Sequence, residues 1–509
     1  MKNSFRRWFV KGKSRIERRL DKKNDSMTFE PQFRASNIQY EVSDKTHGIS
    51  CGGIGAVHML AERLGLIEAI DQRLHLLKFH VPYHESDHVL NIAYNALCNG
   101  TCLQDIELRR NDGNFLDALG ASRIPDPTTA GDFCRRFTRP DIYSLIDTFN
   151  DTSLKVWAEQ PDDFFDRATI DMDGTHTPTT GECKVGMDLS YNRLWCYHPL
   201  LLTLAETGEA LNIVNRSGNR PSHEGAAAEV DRALKLCIKA GFRKIVLRGD
   251  TDFSQTQYLD GWDSDPKVRF FFGYDATPNL KQIAEELPKS RWRRLERPAR
   301  YPVKTKPRRR PANVKEQIVK EREFENQRLV SEDVAEFLYQ PTACRETYRM
   351  IVVRKNISVE KGEQVLFPDE RYFFYITNEY EYTPDEVVYE ANDRCNQENL
   401  IAQLKNGVRA LHAPVSDLES NWAYMVMTAL AWNLKAWWAL MLPEPPGPWQ
   451  KKHHTEKQWV LKLEFKTFLN AFMLLPCQIV KTGRKLVYRL LSWNPHLHIF
   501  FRLLERLRC

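Results

Sequence analysis

Apolar residues recur at three- and four-residue spacing in AVHMLAERLGLIEAI (56–70) and again in DHVLNIAYNALC (87–98), which predicts amphipathic helices. Helical patterning extends from about Gly52 to Asn150. Within it, PDPTTAGDFCRRF (125–137) reads as a Pro-rich turn, a Thr cap at 128 or 129, and a short helix carrying Arg135 and Arg136. Such a helix could serve as a helix-turn-helix reading head. After Pro161 the period changes. RATIDMDGT (167–175) predicts a strand ending in an acidic turn, and CYHPLLLTLAET with LNIVNR, joined at Gly208, a hairpin. Ser222 to Ala240 is an amphipathic helix stopped by Gly241. RKIVLRGD (243–250) and VRFFFGY (268–274) are two further strands, followed by about a hundred residues of mixed, charged sequence. RYFFYITN (371–378) returns to strand pattern. A long helix then starts at Pro384, with Thr383 as cap and Glu386 completing a capping box. Trp422 to Leu442 is apolar over nearly a membrane-spanning length, but Asn433 and Lys435 stand near its middle, where a charge costs roughly 3 kcal/mol. A helix buried in a large core is therefore expected. Beyond about residue 415 the pattern is helical and aromatic-rich, ending in two basic helices, KTGRKLVYRLL (481–491) and FRLLERLRC (501–509).

A chain of 509 residues predicts two to four domains, and 42% hydrophobic with 28% charged residues excludes a wholly disordered chain. The eleven cysteines contain no C-x-x-C pair, which excludes a zinc ribbon or thioredoxin-type motif. Their odd number, without a signal-peptide pattern, predicts reduced thiols in a cytoplasmic protein. The net charge of +6 conceals two dense basic runs. Lys2 to Lys23 holds ten Lys or Arg against Glu17 and Asp21; Lys289 to Arg310 holds eleven against Glu296 alone. The second run contains Trp292, Tyr301 and the triplet Arg308, Arg309 and Arg310. Basic runs are often only solvated loops, but cations interleaved with aromatic rings also suit a polynucleotide. No G-x-x-x-x-G-K-[ST] motif is present, so no nucleotide cofactor is expected.

Three acidic positions fall where chemistry could use them. Asp171 and Asp173 lie at the end of the 167–175 strand, Asp250 and Asp252 follow the IVLRG strand, and Glu398 lies between Arg394 and Lys405 on the predicted helix. At spacings of i, i+4 and i+11, Arg394, Glu398 and Lys405 would share one helix face. Taken singly, an Asp after a strand is more often a turn former, and a helical Glu beside an Arg a surface ion pair. Taken together, carboxylates at strand ends suit Mg²⁺, which binds few carboxylates and keeps positions for water and phosphate oxygens. His176, His198 and His223 are scattered along the sequence and read as hydrogen-bonded scaffold. The stretch 216–220 (RSGNR) reads as a loop.

The segments IDMDGT, VLRGDTDF and RCNQENLIAQLK, in this order, resemble those of bacterial insertion-sequence DDE transposases with a ribonuclease-H-like core. Arg394, Glu398 and Lys405 match the R-x3-E-x6-K part of the Y-R-E-K signature of one branch. The resemblance implies an α/β fold: a ribonuclease-H-like mixed sheet flanked by helices, with a β-containing insertion before the last catalytic helix. It divides the chain into a poorly ordered basic arm (1–45), a helical DNA-binding domain (46–155), a core in two pieces (156–276 and 371–440), an inserted basic subdomain (277–370) and a C-terminal helical region (441–509). It implies Asp173 rather than Asp171 and Asp250 rather than Asp252 as catalytic, metal-binding carboxylates, with Glu398 the third. Mg²⁺, with Mn²⁺ substituting, would be the cofactor, and Arg394 and Lys405 would grip DNA phosphates. Arg135, Arg136, Trp292 and Arg308–Arg310 are further DNA-binding candidates. The implied partners are double-stranded DNA, as transposon ends and target, and a second copy of the chain in a synaptic complex, with no membrane. The signature Tyr falls on Ala391, and the nearest tyrosine, Tyr389, would point away from Glu398. A catalytically inactive DNA-binding relic and another ribonuclease-H-like nuclease are the alternatives.

Overall fold

A computed structural model of the protein describes residues 10–18, 38–40, 47–80, 82–297, 314–361, 364–482 and 485–508. Its centre is a sheet of nine strands: β1 (Arg167–Gly174), β2 (Leu200–Leu204), β3 (Glu209–Val214), β4 (Lys244–Gly249), β5 (Val268–Tyr274), β6 (Arg293–Arg294), β7 (Glu325–Tyr339), β8 (Tyr348–Lys361) and β9 (Gln364–Thr377). Across the sheet they run β6-β7-β8-β9-β5-β4-β1-β2-β3. β1, β4 and β5 are mutually parallel and every other pairing is antiparallel. The central strands are apolar in unbroken runs, Ile245–Leu247 and Phe270–Phe272, all buried. Strands covered on both faces require that composition.

The insertion expected at 277–370 contributes to this sheet rather than closing one of its own among the described residues. β7, β8 and β9 form a long antiparallel meander, which joins the core where Phe374 to Thr377 pair with Tyr274 to Phe271. The start of β7 is largely exposed and Val334 and Ala335 are buried, so the meander is rooted in the core at one end only.

The helices that frame the site and its core are α1 (Glu85–Leu97), α2 (Pro127–Cys134), α3 (Arg139–Ala158), α4 (Ala226–Ala240), α5 (Pro384–Asn392), α6 (Cys395–Ala402) and α7 (Leu418–Leu440). α1, α2 and α3 pack on α7, and one continuous apolar core runs from Ile49 through the sheet helices to Leu507. No break in that core marks the expected boundary near residue 155. Residues 10–18, within the expected arm, are helical.

α7 is the apolar segment whose polar residues argued against a membrane span, and no helix among the described residues is long and apolar enough to cross one. It is buried from Ser420 to Leu440. The Asn433 side chain extends the edge of the sheet, accepting from Ala210 N at 3.0 Å and donating to Ala210 O at 3.0 Å. Lys435 Nζ donates to Leu461 O at 2.9 Å and lies 4.0 Å from the Trp432 ring. Burial pushes this ammonium down to about 7. Lys435→Met is therefore expected to stabilise the protein by about 1–2 kcal/mol at neutral pH, measured by urea denaturation. The gain should shrink as the pH rises toward 10. Between about 7 and the ordinary 10.5 the unfolded chain holds a proton that the folded chain lacks, so wild-type stability climbs with pH across that window.

Two helix expectations fail. KTGRKLVYRLL is not a helix: Cys477–Thr482 and Lys485–Leu490 form an antiparallel hairpin, and the first of these strands also pairs with Gly48–Ile49. The alternation in KLVYRL and the T-G turn signal outweigh helix propensity once an edge strand is available. The following segment is a helix as expected, Leu497–Leu507.

The long helix from Pro384 also breaks. Thr383 and Glu386 cap α5 reciprocally, as expected, but α5 ends at Asn392. The Glu390 carbonyl, which a continuous helix would offer to the Arg394 amide, accepts instead from Asp393 N at 3.2 Å and from Arg248 Nη1 at 3.3 Å. α6 starts afresh and runs into a π-helical turn, Gln403–Gly407, which holds Lys405.

Candidate active site

β1 and β4 are parallel neighbours, with Asp171 opposite Arg248. Two residues further along each chain, Asp173 and Asp250 come level at the carboxyl ends of the strands. This is the edge where open α/β sheets hold their ligands.

The two aspartates of β1 point to the same face and have different surroundings. Asp171 is buried, and both of its oxygens accept from Arg248, Oδ1 from Nε at 2.6 Å and Oδ2 from Nη2 at 2.9 Å. Arg248 Nη1 also reaches Glu390 Oε1 at 2.9 Å, and Arg167 pairs with the same carboxylate. This network ties β1 and β4 to the end of α5. Asp171 is thus buried and engaged at both oxygens by a cation, which sets it apart from the open strand end. Asp173, at the open end of the strand, accepts no side-chain hydrogen bond of that kind. The Gly174 that follows it is sterically required, because a Cβ there would lie 2.7 Å from His198 Nε2.

Charge crowding marks the site. The Asp173 carboxyl is raised to about 6, first by burial, then by repulsion from Asp250, with a smaller repulsion from Glu398 and relief from Arg394. Asp250 is raised by burial, eased by Arg394 and raised further by Asp252. Its Oδ1 accepts from Asp252 N at 3.0 Å, so Asp252 serves the turn through its backbone. Arg394 Nη2 stands 4.0 Å from Asp250 Oδ2. Lys405 is lowered by burial and partly restored by attraction to Asp173. Gln397 pins α6 to the strand ends, donating to Asp171 O at 2.9 Å and to Leu201 O at 3.3 Å, and the adjoining Glu398 is exposed beside them. The structure thus brings together Asp173, Asp250, Glu398, Arg394 and Lys405, although the single helix face expected for the last three is broken.

Among the described residues no three His, Cys, Asp or Glu side chains lie close enough to cage an ion by themselves. Asp173 and Asp250 nevertheless suit a hard divalent cation: they are partly buried carboxylates that raise each other's cost of ionisation, a repulsion such an ion would relieve.

The remaining candidates are dispersed. Arg135 and Arg136 are exposed at the end of α2, Arg135 paired with Asp132 at 2.5 Å and Arg136 reaching Leu76 O at 3.4 Å. The cap of α2 is Asp126 rather than a Thr, its carboxylate accepting from Thr129 N at 2.8 Å. Asp126 precedes Pro127, and a Pro at the first helical position leaves the residue before it as the cap. The Trp292 ring is half-buried with the Arg354 guanidinium 4.4 Å from its centroid, so a protein cation already takes one of its faces. Arg308, Arg309 and Arg310 lie outside the described residues. Ala391 is buried in a cluster with Val246 and Phe271, and Tyr389 donates from its hydroxyl to Glu296 O.

The histidines that look scattered in sequence are in part assembled. His176 and His198 stack at 4.6 Å beside Gly174, and the His198 Nδ1 lies 2.7 Å from Arg220 O. Burial pushes His198 down to about 4, so it is neutral. Arg216, in the expected loop, is buried and donates to the carbonyls of His198, Pro221, Ser222 and Glu224. No local motif announces this support, because its parts come from the β1–β2 connection and from the segment between β3 and α4.

Against known proteins, no curated sequence matches. A cryo-EM structure of the piggyBac transposase synaptic complex with hairpin DNA is similar at 9% identity and a TM-score of 0.34, covering 83% of this chain and 81% of that one. The family described as transposase DDE domain, group 1, matches residues 35–509. That span encloses both strand-end aspartates, Glu398 and the meander between them, and the chain belongs to this DDE transposase family.

Proposed function

We propose that the protein is an active transposase of a bacterial insertion sequence, of the branch with the Y-R-E-K signature. It binds the terminal inverted repeats of its element, cleaves the strands and joins the 3′ ends to target DNA. The observation that carries this reading is the pair Asp173 and Asp250, level at two parallel strand ends, with burial and then repulsion from Asp250 lifting Asp173 to about 6, and faced by Arg394 and Lys405. Asp173, Asp250 and Glu398 would hold Mg²⁺, with Mn²⁺ substituting. The bound metal would supply charge stabilisation of the pentavalent phosphorus and of the leaving oxygen. Arg394 and Lys405 would seat phosphate oxygens beside the carboxylates, which orients the scissile bond and offsets its charge. Two copies would pair the two transposon ends.

The test is incubation of the purified protein with labelled duplex carrying the DNA that flanks its gene, in Mg²⁺ and in EDTA. Metal-dependent release of a 3′-hydroxyl end that is then joined to a second duplex is the expected result. Specific binding without any release favours the inactive relic. That reading draws on the buried Ala391 in place of the signature Tyr and on the absence of a ready three-carboxylate cage among the described residues.

A pH prediction accompanies the metal assignment. Protonation of Asp173 competes with the cation, so Mn²⁺ affinity measured by calorimetry should fall about tenfold per pH unit below about 6 and level off above it. A flat profile from 5 to 7 removes Asp173 from the ligand set.

A further inference from the structure

A three-stranded ribbon follows directly on the catalytic strand, Thr177–Pro178 and Asp188–Leu189 flanking Trp195–Tyr197. It is held firmly. Lys184 Nζ donates to the carbonyls of Val415, at 2.6 Å, and Ala413, and Val185 N donates to Ser416 O at 2.8 Å. Its turn is closed by Arg193 N to Ser190 O at 2.8 Å and Ser190 N to Leu194 O at 2.9 Å, with Arg193 in the left-handed region at φ 60°. Tyr197 and Cys196 are buried, yet Trp195 is 55% exposed. Its indole lines a cleft of about 1100 Å³ between the ribbon and the Thr101–Cys102 segment. His412 forms another wall, and its Nε2 lies 3.1 Å from the Lys405 carbonyl, so the cleft borders the turn that carries Lys405.

We propose that this cleft takes unpaired DNA: the single strand next to the cut enters it and stacks a base on Trp195, with Arg193 near its phosphates. The inference rests on the transposase reading of the neighbouring site. An exposed indole, threonine hydroxyls and a nearby guanidinium, with Glu182 the one carboxylate in the lining, suit a base face and an anionic backbone. A duplex buries its base faces in the stack and cannot offer them to a ring in a walled cleft; an unpaired strand can.

The probe is a duplex carrying the DNA that flanks the gene, blunt or with a short single-stranded oligo-dT extension, binding being read by fluorescence anisotropy at fixed salt. The wild type should bind the extended duplex about tenfold more tightly than the blunt one, as one stacked base implies. The ratio should fall to near one in Trp195→Ala and stay near the wild-type value in Trp195→Phe, which keeps a ring and controls for folding. An equal affinity of the wild type for both duplexes, or a ratio that survives Trp195→Ala, overturns the cleft assignment and leaves the carboxylate site untouched. Failure of the wild type to bind either duplex overturns the transposase reading itself.

Discussion

Asp173→Asn is expected to leave the protein folded and to lower strand cleavage by about three orders of magnitude or more, because an amide does not replace a metal-binding carboxylate. Asp171→Asn, two residues away, should do the reverse. Both Asp171 oxygens pair with the buried Arg248 guanidinium, so loss of this charge leaves a cation half-compensated inside the sheet. Removing a buried partner outright costs about 3–5 kcal/mol; with Glu390 still facing Arg248, about 2–3 kcal/mol is expected here. Urea denaturation and a cleavage assay on the two variants separate the roles. The assignment fails if Asp173→Asn cuts at the wild-type rate, or if Asp171→Asn is as stable as wild type and also inactive.

The largest expected loss of stability lies elsewhere, at Glu209. This carboxylate is fully buried in β3 and has no ion-pair partner among the described residues: Oε1 accepts from Ser153 Oγ at 2.7 Å and Trp437 Nε1 at 2.7 Å, and Oε2 from Trp157 Nε1 at 2.8 Å. Those donors come from α3 on one side and α7 on the other, so a single side chain locks two helices onto the edge of the sheet. Glu209→Leu strands the Trp157 indole N–H, leaves the Trp437 indole N–H only the Ser153 Oγ at 3.1 Å, and frees that hydroxyl's own proton in an apolar interior. At about 1–3 kcal/mol for each buried donor left unsatisfied, with Trp437 only partly deprived, a loss of about 2–4 kcal/mol is expected. Glu209→Gln keeps one carbonyl oxygen and should lose about half as much. Equal stability of Glu209→Leu and wild type in urea would mean that water satisfies these donors and the lock is not formed.

What could be read in the sequence was whatever sits in contiguous residues. The strands ending at Asp173 and Asp250 announce themselves by apolar runs that stop in acidic turns, and Thr383, Pro384 and Glu386 mark the start of α5 within four positions. The joint order of these elements also placed the three carboxylates near one another. What sequence could not supply depends on partners far along the chain. The difference in surroundings between Asp171 and Asp173 comes from Arg248, on another strand. The same arginine takes the Glu390 carbonyl and so helps break a helix that looks continuous in sequence. The segment 481–491 reads as a basic helix until Gly48–Ile49 provides a strand to pair with. The His176–His198 stack, more than twenty residues apart, depends on how the β1–β2 connection folds back.

The most direct test of the central claim sets wild type, Asp250→Asn and Glu398→Gln side by side on one labelled duplex end in Mg²⁺, with binding and strand release measured on the same samples. Both substitutions keep side-chain size and remove charge. Release of a 3′-hydroxyl end by the wild type alone, with all three proteins bound to the DNA, is the predicted result. Strand release by either variant at the wild-type rate would contradict the assignment of these carboxylates as the catalytic set.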